Sequence, residues 1–134
     1  MKFKTVLSMG LLVAIMSTLV GCVSTNQGPS IEMDEASLRL RVETEWTARV
    51  KGRWAAVYDL ATADFRKENS RDLYGSNAKI KPKSFKIESV TVNAAEKTGI
   101  AEVSYTVQHM AFTFPFKSKG TWVWENKNWY LKIN

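Results

Sequence analysis

One cysteine, one histidine and three prolines are all that this sequence of 134 residues contains of those types. A single thiol excludes a disulfide framework. A single histidine with no clustered carboxylates offers no ligand set at metal-binding spacing, so neither a metal nor a cofactor is expected. The chain has no Gly-x-Ser-x-Gly turn to expose a nucleophilic serine, and no glycine-rich loop to cradle a phosphate. Its longest apolar stretch, Val6 to Val20, is 15 residues, short of the roughly 20 that a helix needs to cross a hydrocarbon core. Repeats and low-complexity tracts are missing too, which points to one folded domain.

What is present begins with Met1-Lys2-Phe3-Lys4, positively charged, followed by the apolar stretch and the small residue Gly21. This is the layout of a secretory signal. Leu19-Val20-Gly21-Cys22 resembles the lipobox of bacterial lipoproteins. The resemblance implies cleavage before Cys22, a diacylglyceryl thioether on its sulfur, and acylation of the new amino group by a palmitate-type chain. Lipidation of Cys22 would also account for a lone thiol in an exported chain. An ordinary cleaved signal beside a stray cysteine is the alternative. In enteric bacteria an aspartate after the cysteine favours inner-membrane retention; Val23 stands there, so the expected address is the outer membrane, facing the periplasm in a Gram-negative cell. The expected organisation is residues 1–21 as signal peptide, 22–33 as lipidated cysteine and flexible tether, and 34–134 as one α+β domain.

Removing the two lysines of the signal lowers the formal charge from +6 to +4. Arg39, Arg41, Arg49, Lys51 and Arg53 form one basic group, and Lys79, Lys81, Lys83 and Lys86 another. In the cytoplasm such groups would suggest nucleic acid. For an exported, lipid-anchored chain no nucleic acid is expected; the choice lies between acidic headgroups or envelope polyanions and a plain solvated face.

Leu38, Val42, Trp46, Val50 and Trp54 recur every four residues, the stripe of an amphipathic helix. Asp34 is placed to cap it and Gly52 to interrupt it. A short second helix is expected near Trp54–Leu60 and a weaker one from Ala63 to about Leu73. Beyond Pro82 the pattern changes. Phe85 and Ile87 share one parity while Val90 and Val92 share the other, which predicts a bulge near Glu88-Ser89. Ala101, Val103, Tyr105, Val107 and His109 alternate with polar residues as in a half-buried strand. Phe112 to Phe116 contains Pro115 and is expected as an edge, a bulge or a wide turn. A last hairpin should turn at Glu125-Asn126-Lys127-Asn128.

Helices followed by antiparallel strands make an α+β pattern. The order of elements, with Arg53-Trp54, Tyr58-Asp59-Leu60, Asp64-Phe65-Arg66 and the ending Trp122-Val123-Trp124-Glu125…Trp129-Tyr130-Leu131, resembles the nuclear transport factor 2-like superfamily. That resemblance runs from Leu38 to Ile133. It implies a cone, in which a strongly curved antiparallel sheet wraps a long helix around a cavity. A cystatin-like helix-on-sheet domain without a pocket is the structural alternative.

The superfamily holds both isomerase or dehydratase enzymes and proteins that only bind, so the side chains must decide. The expected pocket residues are Trp46, Tyr58, Tyr105, His109, Trp122 and Trp124. His109 suits a proton-transfer role or an ordinary bond to a neighbour; Asp64 suits a base or a helix cap. This proton-transfer set is incomplete. The reading is therefore a non-enzymatic binding domain for a small apolar ligand or an envelope protein, with a homodimer through the sheet as one form. A small pocket enzyme and an accessory subunit of an envelope assembly are the alternatives. Phe112, Phe114 and Phe116 share one parity and suit either a lip of the cone or an interaction loop.

Overall fold

The computed structural model describes residues 30–77 and 79–134. The signal segment, Cys22 and the Gly28-Pro29 breaker lie outside the described residues. The first helix starts where the sequence puts it. Asp34 is extended, and its carboxylate accepts the Ser37 N–H at 2.7 Å while the Ser37 hydroxyl accepts the Asp34 N–H at 3.4 Å. This reciprocal box satisfies two donors that a helix end otherwise leaves unpaired. Bonds from Ser37 hold the Asp34 carboxyl below the usual carboxylate range.

Helix α1 spans Glu35–Val50 and ends just before Gly52, whose φ of +68° turns the chain at little steric cost. Three short helices follow: α2 at Trp54–Asp59, α3 at Ala63–Glu68 and α4 at Arg71–Ser76. The single weak helix expected from Ala63 to Leu73 is thus two. Asn69 becomes extended and its amide donates to the Phe65 carbonyl at 2.9 Å, closing α3; the Ser70 hydroxyl then caps α4. Polar side chains at both positions compete with the helical ladder.

The strands form one antiparallel sheet in the order β1-β2-β3-β4: β1 Ser84–Asn93, β2 Thr98–His109, β3 Phe112–Glu125 and β4 Asn128–Lys132. The β1–β2 register slips between Ile87 and Ser89. That one extra residue, Glu88, brings Phe85, Ile87, Val90 and Val92 onto the same face, opposite Tyr105, Val103, Ala101 and Gly99. The β3–β4 turn has Asn126 and Lys127 both at positive φ, 48° and 60°, the two-residue form that matches strand twist. β3 runs unbroken through Pro115, in regular register with β2. Of the three forms expected for Phe112 to Phe116, the edge strand is the one found.

α1 lies on the sheet face made by these apolar residues. Leu38, Val42 and Trp46 from the helix meet Val90, Ala101, Val103, Trp122, Trp129 and Leu131 from the sheet. The direction of α1 is fixed by its contacts. Its first turn is level with the β1–β2 and β3–β4 turns, where the Trp129 indole donates to Ser37 and Leu38 fills the space beside Gly99. Trp46, nearer its other end, packs on Tyr105 and Phe85. The β2–β3 hairpin continues beyond that point with no β1 partner after Thr106. Across the sheet, the outer edge of β4 is covered by the segment after α2: the Leu131 N–H donates to the Leu60 carbonyl at 2.8 Å and the Thr62 N–H to Leu131 at 3.0 Å.

Candidate functional site

Two places gather chemistry-bearing residues: a recess between α1 and the sheet, and the face of the β2–β3 hairpin. In the recess, the later half of α1 supplies Glu45, Trp46 and Arg49, while β3 supplies Gly120 and Trp122 and β4 supplies Leu131. The space is about 190 Å³, enough for several waters. Glu45 is only 3 % exposed, an unusual depth for a carboxylate. Its Oε1 accepts the Nε–H of Arg49 at 2.7 Å and lies 2.7 Å from Nη2 of the same guanidinium, a close ion pair. Burial pushes the Glu45 carboxyl above its ordinary value, with the guanidinium pulling the other way. Arg49 in turn lies over the rings of Trp46 and Trp54, at 5.3 and 5.8 Å.

Trp122 is fully buried, and among the described residues its Nε1–H has no partner. Gly120 makes the adjoining room: a Cβ there would stand 3.5 Å from that nitrogen. A buried indole N–H beside a polar recess is the setting in which ordered water completes the hydrogen bonding. As a catalytic group, Glu45 is poorly placed. A base works on a proton within its reach; Glu45 is ion-paired through Oε1 with Arg49, and among the described residues no second carboxylate, histidine or tyrosine lines the recess beside it.

The six residues expected to line one pocket are separated by the fold. Trp46 and Trp122 border the recess, and Trp124 is half-buried against Trp129, with ring centroids 5.1 Å apart. Tyr58 belongs to a different cluster, packed on Phe65 and Tyr74, with its hydroxyl 2.8 and 2.7 Å from the Arg66 and Asn69 carbonyls. Those bonds brace the short helices. Tyr105 is half-buried between Trp46 and Phe116. His109 is a correction to the expected pocket: it has the parity of Tyr105 but stands exposed at the hairpin end, where neither β1 nor α1 reaches. Asp64 is exposed in the first turn of α3, where the Lys67 ammonium donates to its Oδ1 at 3.5 Å, an ordinary surface ion pair one helix turn apart. Among the described residues no group of three or more histidine, cysteine or acidic side chains is placed to hold a metal.

The buried Glu45–Arg49 pair escaped the sequence reading. Its signal was the four-residue spacing on the helix turn that also carries Trp46.

No family model matches the chain, and no curated protein does. Among solved structures, a SEC-C motif-containing protein from Rhodopseudomonas palustris superposes with a TM-score of 0.57 at 9% identity, covering 75% of this chain and 78% of that one. The intermembrane-space region of the chloroplast protein ARC6 gives a TM-score of 0.49 at 11% identity, covering 76% of this chain and 95% of that one. The first likeness bears on the α+β fold alone.

The hairpin face is where the molecule departs from ordinary burial. Every residue from Met110 to Lys117 is exposed. Phe112 is 68 %, Phe114 46 % and Phe116 47 % open to solvent, and Met110 82 %. The three phenylalanines stand on one side of β3, opposite His109, Val107 and Tyr105 of β2, on the side that further along the sheet packs on α1. The other side of the sheet is polar there, with Lys117 opposite Ser104 and Lys119 opposite Glu102. Scattered exposed apolar residues need no explanation; these three form a contiguous row on a regular strand.

Proposed function

We propose that this chain is a lipid-anchored protein of the bacterial cell envelope whose domain is an interaction module, not an enzyme, and that it docks an envelope protein partner through the phenylalanine row of β3. The single observation that carries the docking is the exposure of Phe112, Phe114 and Phe116 side by side. At about half of roughly 200 Å² each, they leave on the order of 300 Å² of aromatic surface in water. Covering it contributes about 7 kcal/mol at about 25 cal/mol/Å², comparable with the lower part of the roughly 4–15 kcal/mol that association costs.

A protein partner is favoured over a small apolar ligand because Trp122 and Trp129 fill the interior that such a ligand would use. The recess left between α1 and the sheet is small and contains a charged pair, and the larger depression on the sheet's other face is lined by Glu88, Glu102, Lys117 and Lys119. We read the domain itself as a nuclear transport factor 2-like cone. The bulge at Glu88 and the single helix laid on one sheet face support that reading. The anchor rests on Leu19-Val20-Gly21-Cys22, and Val23 favours the outer membrane, facing the periplasm.

Expression of the full chain in a Gram-negative host tests both halves. The wild type should fractionate with membranes and take up labelled palmitate. Cys22→Ser should appear in the soluble periplasmic fraction; equal membrane retention of the two would overturn the anchor. A photo-crosslinking residue at Phe114 should give a discrete adduct that the same residue at Thr44, exposed on α1, does not. The same pattern from both sites would overturn docking through this face.

A further inference from the structure

The open edge of β3 carries more information than the phenylalanines alone. In an antiparallel pair, the N–H and C=O of one residue point to the same side of the strand. The Thr106 carbonyl accepts the Lys83 N–H at 2.8 Å, so the main chain of Thr106 faces the β1 side. Its cross-strand partner is Pro115. Pro115 therefore turns its nitrogen and carbonyl away from β2, and so do Thr113 and Lys117 at the same parity. This explains how a proline sits inside a regular strand: the donor it lacks belongs to the open side, not to the ladder.

β4 pairs with β3 only from Thr121 to Glu125. Among the described residues the stretch Phe112 to Ser118 thus presents an unpaired edge with two donors, Thr113 and Lys117, and three acceptors, Thr113, Pro115 and Lys117. Other edges are closed or interrupted. The segment Leu60–Thr62 covers β4, and β1 is bulged at Glu88 beside a Lys86–Glu88 ion pair, a feature that blunts strand pairing.

We infer that an extended segment of a partner protein, with apolar residues alternating with acidic ones, adds to the sheet as a fifth strand along Phe112–Ser118. This inference rests on the docking reading above and names the partner's chemistry. Main-chain pairing along the edge supplies the geometry, and alternate side chains supply selectivity. On one face the added strand meets Phe112, Phe114 and Phe116, which calls for apolar residues. On the other it meets Lys117 and, just beyond the stretch, Lys119. Their inner neighbours are Ser104 and Glu102 of β2, with Glu88 further in, while β3 itself carries no acid before Glu125, so the lysines' open side calls for carboxylates. A second copy of this chain brings the same lysines to the edge and is disfavoured by charge.

The test uses the full chain in detergent and the fluorescent peptide acetyl-Glu-Val-Glu-Phe-Glu-Val-Glu-amide, followed by anisotropy. Two further peptides carry N-methyl groups on the glutamate amides or on the apolar-residue amides. Antiparallel addition points the first set at β3 and parallel addition the second, so one set should lose at least roughly tenfold in affinity and the other should not. A peptide with lysine for glutamate should bind at least roughly tenfold more weakly. Lys117→Glu with Lys119→Glu should reverse that preference. If both N-methylated peptides bind like the parent while Phe114→Ser abolishes binding, the row docks without strand addition; the inference falls and the docking reading stands. If no peptide binds and the chain sediments as a dimer that Phe114→Ser dissociates, the occupant is a second copy and the inference is overturned. Failure of every probe on a monomeric chain, with Phe114→Ser unchanged in envelope crosslinking, overturns both.

Discussion

The Trp129 indole N–H donates to the Ser37 hydroxyl at 3.0 Å, joining the last strand to the first turn of α1 across 92 positions of sequence. Ser37 thereby serves two ends at once, since it also completes the capping box with Asp34. Ser37→Ala removes one arm of the cap and leaves the indole of a fully buried tryptophan without its partner. The expected loss is about 2 kcal/mol, combining a cap of about 1 kcal/mol with an orphaned donor of about 1–3 kcal/mol. Urea unfolding of the domain measures it. A loss below about 0.5 kcal/mol would show that water replaces the hydroxyl freely.

Gly99 has an ordinary backbone conformation but no room for a side chain. The Leu38 δ-methyl already occupies the position of a Cβ, with the Thr91 carbonyl 3.3 Å and Trp129 Cζ3 3.4 Å away. Leu38 is fully buried and has little space to yield. Gly99→Ala should destabilise by about 1–3 kcal/mol through overpacking, and pairing it with Leu38→Ala should recover part of that loss. Thermal melts of the two single variants and the double variant decide it.

The recess predicts a pH dependence with a definite sign. Burial raises the folded Glu45 carboxyl above its ordinary value of 4.5, so across the interval from that value up to the folded one the native state binds more protons than the unfolded. Its contribution to stability is fully present below the ordinary glutamate value and is lost as pH rises through the folded one. Asp34, Asp59 and Glu88 are shifted downward by hydrogen bonds and act oppositely, losing their contribution as pH falls. The wild-type profile is therefore mixed. Subtracting the profile of Glu45→Gln isolates one component: the wild type should lose stability relative to the variant as pH climbs from about 4.5. A flat difference would remove Glu45 from the account.

Core and contact surface should separate under mutation. Phe114→Ser, on the open hairpin, should change stability by no more than about 1 kcal/mol. Trp122→Ala, at a fully buried position, should cost about 3–5 kcal/mol. Chemical denaturation of both variants, beside crosslinking of the first, distinguishes a residue kept for contact from one kept for packing.

The stripe Leu38–Val42–Trp46, the cap at Asp34 and the slip near Glu88 were legible because each is a local pattern of 3.6 or 2 residues. The bulge was readable from parity alone: Phe85 and Ile87 disagree with Val90 and Val92 unless one residue is extra. What escaped depends on partners distant in sequence. Parity put His109 on the correct face of β2 but said nothing about where β1 and α1 end. Which way the Pro115 nitrogen points is decided by Lys83 bonding Thr106 two strands away. The burial of Glu45 follows from Trp122 and Leu131 closing over α1, which no window along the helix displays.

The direction in which α1 is laid down has a further consequence. Its first turn is beside the β1–β2 and β3–β4 turns, whereas the phenylalanines occupy the far end of β2–β3, about ten residues or roughly 33 Å along the strand. A chain held at a bilayer by its N-terminal segment would stand with the helix start nearest the lipid and the aromatic row outermost. In the proposed anchored arrangement, the docking face would reach into the compartment instead of along its own membrane. A soluble component, or one anchored in the opposing membrane, would meet the row before any neighbour in the same leaflet could.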